Sequence, residues 1–105
     1  TIRVMTDTAL DPEVVAKALL GMPGWLGDSS ALSRAWHFAD FAAAIRFMHT
    51  CVPGIDARNH HPEWTNVYDR VSVLLRTHDA GDRVTAADLD LARHLTAVAA
   101  ECGGR

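Results

Sequence analysis

Three of the six histidines of this chain fall in one short polar region, at His60, His61 and His78. An unperturbed imidazole has a pKa of about 6.5, so it can give or accept a proton near neutral pH. Carboxylates accompany these histidines at Asp56 and Asp88, and no cysteine completes a metal-binding spacing with them. The residue types and their spacing therefore predict proton transfer.

Two other interpretations of the histidines compete with this one. His60 and His61 precede Pro62, and from spacing alone a solvated loop after a helix would be the simpler explanation. A zinc site built from the three histidines is also conceivable. Adjacent histidines tend to point in different directions, however, and we expect no metal here. The remaining histidines are interpreted as structural residues at or near the surface: His37, His49 and His94.

Length and composition limit the possible classes of protein. A chain of 105 residues predicts one domain, residues 1–105, with a single core. An apolar fraction of 49% and a charged fraction of 22% are typical of a globular protein and argue against disorder. The net charge of -3 argues against nucleic-acid binding. No stretch approaches the roughly 18 apolar residues of a membrane span, so we expect no membrane partner.

The two cysteines and the start of the chain bear on the compartment. Cys51 and Cys102 match no metal or redox spacing, and we expect two reduced, partly buried thiols. The chain does not open with a basic segment followed by an apolar one, which would indicate export. These features together predict a cytoplasmic protein.

The first half of the chain predicts a helix followed by a hairpin. Asp11-Pro12 can cap and open a helix, and the glycines and proline of residues 21–24 end it. A short extended piece begins at Trp25, and a second strand follows over residues 31–38 after turn residues. Trp25 and Trp36 are expected to face each other across this hairpin.

The second half predicts a helix, a second hairpin and a last helix. Asp40 begins a helix with an apolar stripe, which Pro53-Gly54 is predicted to weaken or end. Residues 64–68 and 70–77 read as strands, with Val71, Val73 and Leu75 on one face. A capping box from Thr85 to Asp88, with Asp in place of Glu, opens the final helix.

The order of elements is therefore α-β-β-α-β-β-α. It predicts an α+β fold in which a four-stranded antiparallel sheet carries the helices on one face.

The chemistry-bearing residues, in their order along the chain, resemble the pterin-4a-carbinolamine dehydratase family. The resemblance rests on Asp56, His60-His61-Pro62, Tyr68, Thr77-His78 and Asp88. It extends from about residue 10 to about residue 100, with support from Gly24-Trp25, Phe38-x-Asp40-Phe41, Phe47-Met48 and Leu91-Ala92. The family's fold has the element order predicted above.

What the resemblance implies is dehydration of a 4a-hydroxytetrahydropterin to the quinonoid dihydropterin, which recycles the cofactor of aromatic amino-acid hydroxylases. The elimination requires an acid and a base with pKa values near neutrality, and no metal or redox cofactor. By the resemblance, His60 and His78 are the acid/base pair, and His61 mainly binds substrate. The rate should then be bell-shaped in pH, with limbs within about two units of 6.5.

The resemblance also implies a set of substrate-binding residues: Asp56, Pro62, Thr77, Asp88 and Trp25. Asp56 stands where the family usually has Glu, and its shorter side chain puts its reach in question. It lies four residues before His60 and could orient an imidazole if that segment is helical. Asp88 also suits a helix cap, which is the favoured role from sequence. Trp25 could wall the pterin site or pack in the hairpin core.

Oligomers and rival functions complete the expectations. Edge strands of a small sheet are often covered by a copy of the same chain, and the resemblance also implies a homodimer or homotetramer. The rival function is a binding protein of the same fold, either a dimerisation cofactor for a transcription factor or an enzyme assembly factor. A pterin-binding protein without turnover is a third possibility.

Overall fold

The computed structural model describes residues 8–105 and has the predicted α+β architecture. The predicted domain, residues 1–105, therefore begins outside the described residues. The four strands form one antiparallel sheet in the order β1-β2-β4-β3, with the three α-helices on one face. The elements along the chain are α1 (Pro12–Leu20), β1 (Leu26–Asp28), β2 (Ala31–His37), α2 (Phe41–Arg58), β3 (Glu63–Val67), β4 (Arg70–Leu75), a 3-10 helix (His78–Ala80) and α3 (Ala86–Glu101).

Strand β4 lies inside the sheet, paired with β2 on one edge and β3 on the other, and its alternate apolar residues form a buried face. Val71, Val73 and Leu75 are buried beneath the helices, as predicted, and the residues between them face the other side. The strand ends at Leu75, earlier than the predicted residue 77. Thr77 instead forms an isolated antiparallel bridge with Arg83, so the chain turns back after it.

An aromatic cluster fills the core between the sheet and α2. The rings of Trp25 and Trp36 meet edge to face at 5.6 Å between centroids, which confirms that they face each other. Trp25 itself precedes β1. Trp36 also packs on Phe47, which stacks on Phe38. Large buried side chains from α3, including Leu91 and Leu95, close the core.

Pro53 and Gly54 were predicted to weaken or end α2, but the helix runs through both residues to Arg58, so they do not end it. The reason is tertiary. A Cβ placed at Gly54 would lie 2.2 Å from the His94 ring of α3, so the glycine permits close packing of the two helices. His94 Nε2 lies 3.2 Å from the Cys51 carbonyl oxygen, which can accept its hydrogen bond. Packing against α3 thus stabilises the segment that the proline weakens.

The N-terminal caps of the three helices were predicted at Asp11, Asp40 and Thr85, and the structure confirms side-chain capping at the last two. Asp40 accepts a hydrogen bond from the backbone N–H of Ala43. The capping box of Thr85 and Asp88 is present. Asp11 is the N-cap of α1, but its side chain makes no capping hydrogen bond.

The described residues also bear on membrane spans and on the state of the two cysteines. Within residues 8–105, no helix combines the length and apolar character needed to cross a bilayer. Cys51 and Cys102 are both free thiols; Cys51 is fully buried and Cys102 partly so.

Candidate active site

A buried aspartate at the start of α3, Asp88, contacts His60, the first of the two adjacent histidines. His60 Nε2 lies 2.6 Å from Asp88 Oδ1, and the two side chains are 16% and 0% exposed. Asn59, in a left-handed conformation at the end of α2, redirects the chain toward α3. His60 is therefore held at the junction of the two helices.

The second oxygen of Asp88 is also occupied. Asp88 Oδ2 accepts the backbone N–H of Thr85 at 2.9 Å and the hydroxyl of Thr77 at 2.8 Å. One carboxylate thus caps α3 through Oδ2 and contacts His60 through Oδ1. The sequence favoured a capping role for Asp88, and the structure shows that cap together with a contact to His60.

The second histidine pairs with the aspartate that departs from the family pattern. His61 Nε2 lies 3.1 Å from Asp56 Oδ1, and both side chains are exposed. The spacing of four residues suggested an approach to His60, but α2 ends at Arg58 and the chain turns, so that His61 becomes the partner. Asp56 reaches an imidazole despite its short side chain.

The third histidine is the most open and has a partner that the sequence analysis missed. His78 Nδ1 contacts Asp82 Oδ1, and both side chains are more than half exposed. The left-handed Gly81 turns the chain between them. The four-residue spacing of His78 and Asp82, with a glycine before the aspartate, is the sequence signal that could have indicated this pair.

Each histidine of the site therefore contacts a different aspartate. A neighbouring carboxylate orients an imidazole and stabilises its protonated form. The three pairs differ in burial, from the enclosed His60 to the open His78. Among residues 8–105, no three His, Cys, Asp or Glu side chains converge as a metal-binding group. The arrangement can orient three proton donors or acceptors.

Pro62 and the first residues of β3 border this region. Pro62 lines an open groove of about 540 Å³ over β3 and β4. Beside it, Arg76 Nε donates to Glu63 Oε2 at 2.9 Å. Hydrogen bonding and charge from Glu63 raise the pKa of Arg76 above its usual value. Arg76, which the sequence placed at the border of the substrate, thus has a carboxylate partner.

Trp25 contacts none of the residues that form the three histidine–aspartate pairs in the hydrogen bonds and ring contacts described for it. Its indole N–H donates to Thr96 Oγ1 at 2.8 Å, and its ring packs on Trp36. Thr96 follows Asp88 by eight residues on α3, or about 12 Å along the helix axis. Trp25 lines a separate cleft between the end of α1 and α3. Its predicted role in binding substrate stays a prediction.

Known proteins of similar sequence and structure agree with the resemblance. A family model described as pterin 4 alpha carbinolamine dehydratase matches residues 8–98. Relatives from Opitutus terrae and Bradyrhizobium sp. (strain ORS 278), each called "Putative pterin-4-alpha-carbinolamine dehydratase", are 45% identical over 86 and 97 residues. The alignments cover 82% and 90% of this chain, and 89% and 96% of theirs.

A solved structure has the same architecture. It is described as "transcriptional coactivator/pterin dehydratase from Brucella Melitensis" and superposes with a TM-score of 0.81 at 35% identity. The superposition covers 88% of this chain and 99% of that one. The fold around the three histidine pairs is therefore shared with a solved relative.

Proposed function

Because this chain belongs to the pterin 4 alpha carbinolamine dehydratase family, we propose that it dehydrates a 4a-hydroxytetrahydropterin to the quinonoid dihydropterin. The observation that carries the proposal is the enclosed pair of His60 and Asp88, with two further histidine–aspartate pairs in neighbouring segments. An elimination that moves one proton off the substrate and one onto its leaving group requires such groups.

The proposed reaction balances without an oxidant or reductant. The bond between C4a and the hydroxyl oxygen breaks, and its electron pair leaves with the oxygen. A base removes a ring N–H proton, and the electrons of that bond form the new double bond. An acid protonates the departing hydroxide, which leaves as water. His60 and His78 take the acid and base roles, and His61 binds substrate and assists.

The aspartates contribute by charge and orientation. When a histidine takes the substrate proton it becomes an imidazolium, which its aspartate partner stabilises. Asp88 does this from a buried position, where electrostatic interactions are weakened least by water. We place Asp56, Pro62, Thr77 and Asp88 around the substrate, either touching it or holding the groups that touch it.

The direct test is the dehydration rate of freshly generated 4a-hydroxytetrahydropterin, followed by ultraviolet absorbance. We expect a native rate well above background and a loss of roughly 10²–10⁴-fold in His60→Ala. His49→Ala, at an exposed position on α2, is the matched control and should keep the native rate. A native rate equal to the uncatalysed background would contradict the proposal.

We further propose that the enzyme acts in the cytoplasm as a homodimer or homotetramer, downstream of an aromatic amino-acid hydroxylase that generates its substrate. Recycling of tetrahydrobiopterin would be the result. No cofactor is needed for the elimination itself, because it changes no oxidation state overall.

A protein-binding role is the second candidate, and two observations favour it. The Brucella relative is described as a transcriptional coactivator as well as a pterin dehydratase. Helix α2 also exposes an apolar stripe, which consists of Phe41, Ile45 and Val52 at 52%, 40% and 42% exposure. Binding to a transcription factor or an enzyme assembly without any dehydration would favour this role. Pterin binding without turnover would instead indicate a non-catalytic pterin carrier.

A further inference from the structure

We propose that Thr77 and Thr85 are positioning residues, which hold Asp88 as a hydrogen-bond acceptor and so fix the orientation and tautomer of His60. This inference deepens the proposed function and rests on it only for its kinetic test. It replaces the substrate-binding role that the family resemblance implied for Thr77. The four side chains form one continuous series of contacts from Thr85 through Thr77 and Asp88 to His60.

The direction of each hydrogen bond follows from counting protons. Thr77 has one hydroxyl proton, which it donates to Asp88 Oδ2 at 2.8 Å. Its oxygen lies 2.8 Å from Thr85 Oγ1, so Thr85 must be the donor in that contact. Thr85 Oγ1 in turn accepts the backbone N–H of Ala87 at 3.2 Å. Every hydroxyl in the series is therefore oriented toward Asp88.

The same count defines the state of His60. Asp88 Oδ2 already receives two donors, the Thr77 hydroxyl and the Thr85 backbone N–H. A carboxylate oxygen that carries no proton only accepts hydrogen bonds, so in this arrangement Asp88 Oδ1 faces a proton on Nε2 of His60. Asp88 thereby selects the Nε2–H form of the neutral imidazole, as second partners of functional histidines do elsewhere.

Burial makes this arrangement costly to disturb. Thr77 is 5% exposed, and Thr85 and Asp88 are fully buried. Water cannot readily replace a lost donor at such a site. The single hydroxyl proton of Thr77 is already given to Asp88, and burial leaves little of the side chain open to a substrate. Thr77 therefore acts on the reaction through Asp88 and His60.

The kinetic test compares Thr77→Val, which keeps the shape and removes the hydroxyl, with Thr77→Ser, which keeps the hydroxyl. We expect kcat to fall about tenfold in Thr77→Val with KM within about twofold of native, and Thr77→Ser to recover most of the loss. The matched control is Thr50→Val, the same substitution at an exposed position on α2. A rise in KM at unchanged kcat would mean that Thr77 binds substrate and would overturn the inference.

A second measurement needs no activity. Nitrogen and carbon NMR shifts of the His60 ring, recorded on free protein at a pH where the ring is neutral, report its tautomer. We expect the Nε2–H form in native protein and a mixed signal in Thr77→Val, with native signals in Thr77→Ser and Thr50→Val. Unchanged His60 signals in Thr77→Val would refute the inference, even if the native protein proved to be an active dehydratase.

Folding must be separated from positioning. If Thr77→Val does not fold, Thr85→Ala tests the same series one step earlier, because its backbone N–H to Asp88 is retained. We expect a shift of the His60 tautomer in the same direction in that variant. Native His60 signals in a folded Thr85→Ala would count against the series. The NMR result also stands if no dehydration is observed, so a failure of the proposed function remains distinguishable.

Discussion

At the scale of single residues, Asp88 couples the candidate chemistry to the stability of a helix. Its side chain closes the capping box of α3 and contacts His60 with the other oxygen. A substitution here would remove a cap, which typically costs about 1 kcal/mol, and would also release the imidazole. Loss of activity in an Asp88 variant therefore needs a parallel measurement of stability.

Cys51 provides a residue-scale prediction about pH. Burial, with a smaller contribution from Cys102, raises the pKa of the Cys51 thiol from 9.0 to about 12. The folded state keeps this proton while the unfolded chain loses it above pH 9, so the thiol disfavours folding only at alkaline pH. We expect the free energy of unfolding to fall by about 1.4 kcal/mol for each pH unit between 9 and 12.

The measurement is urea unfolding across this pH range in native protein, Cys51→Ala and Cys102→Ala. The fall in the free energy of unfolding should begin near pH 9 in native protein. It should be absent in Cys51→Ala and retained in Cys102→Ala. In a thiol-labelling assay at pH 8, Cys102 should react in the folded protein and Cys51 only after unfolding. Rapid labelling of both thiols in the folded state would contradict the assignment.

At the scale of elements, the contact between α2 and α3 decides where the site lies. His94 fits against Gly54 and reaches the Cys51 carbonyl, which brings the ends of the two helices together. His60 follows the end of α2, and Asp88 lies in the first turn of α3. Close helix packing is thus a condition for the pair that the proposed function requires.

Gly54→Ala tests this contact. The new Cβ would lie 2.2 Å from the His94 ring, so the helices must separate or the ring must move. We expect a loss of about 1–3 kcal/mol in urea unfolding. Gly21→Ala is the control, since its Cβ would lie 3.7 Å from the nearest atom and its φ is an ordinary -96°.

The same substitution in a His94→Ala background should cost much less, because the obstructing ring is gone. An equal cost in both backgrounds would mean that the loss does not come from the contact with the His94 ring, since the higher helix propensity of alanine would by itself stabilise α2.

At the scale of the whole molecule, the exposed apolar stripe of α2 is a candidate surface for self-association. Its residues recur at helical spacing, at Phe41, Ile45 and Val52, with the partly buried Met48 between them. Two copies of one amphipathic helix face can cover each other by two-fold symmetry. This surface adds to the sheet edges as a route to the proposed dimer or tetramer.

Ile45→Asp is predicted to weaken self-association, because it places a charge in the centre of this stripe. Sedimentation should show native protein as a dimer or tetramer and the variant shifted toward monomer. Val14→Asp, at a similarly exposed valine on α1, is the control and should assemble as native. A native protein that is monomeric at all concentrations, or an Ile45→Asp variant that assembles normally, would contradict the prediction.

Patterns in the sequence were enough to predict the order of elements, the capping box, the buried face of β4 and the family. These depend on local signals, such as alternation of apolar residues, N-cap residues and a run of histidines with fixed neighbours. Each of these signals can be read from residues within a few positions of one another, and the family from several such motifs in order along the chain.

The partner of His60 became visible only once the chain was folded. His60 contacts Asp88, 28 positions away, and His61 contacts Asp56. The tertiary structure also decided that α2 continues through Pro53, because the stabilising contact comes from α3. The physical reason is the same for the His60–Asp88 pair and for α2: both depend on distances between segments that approach only when the helices pack on the sheet, and no local pattern encodes them.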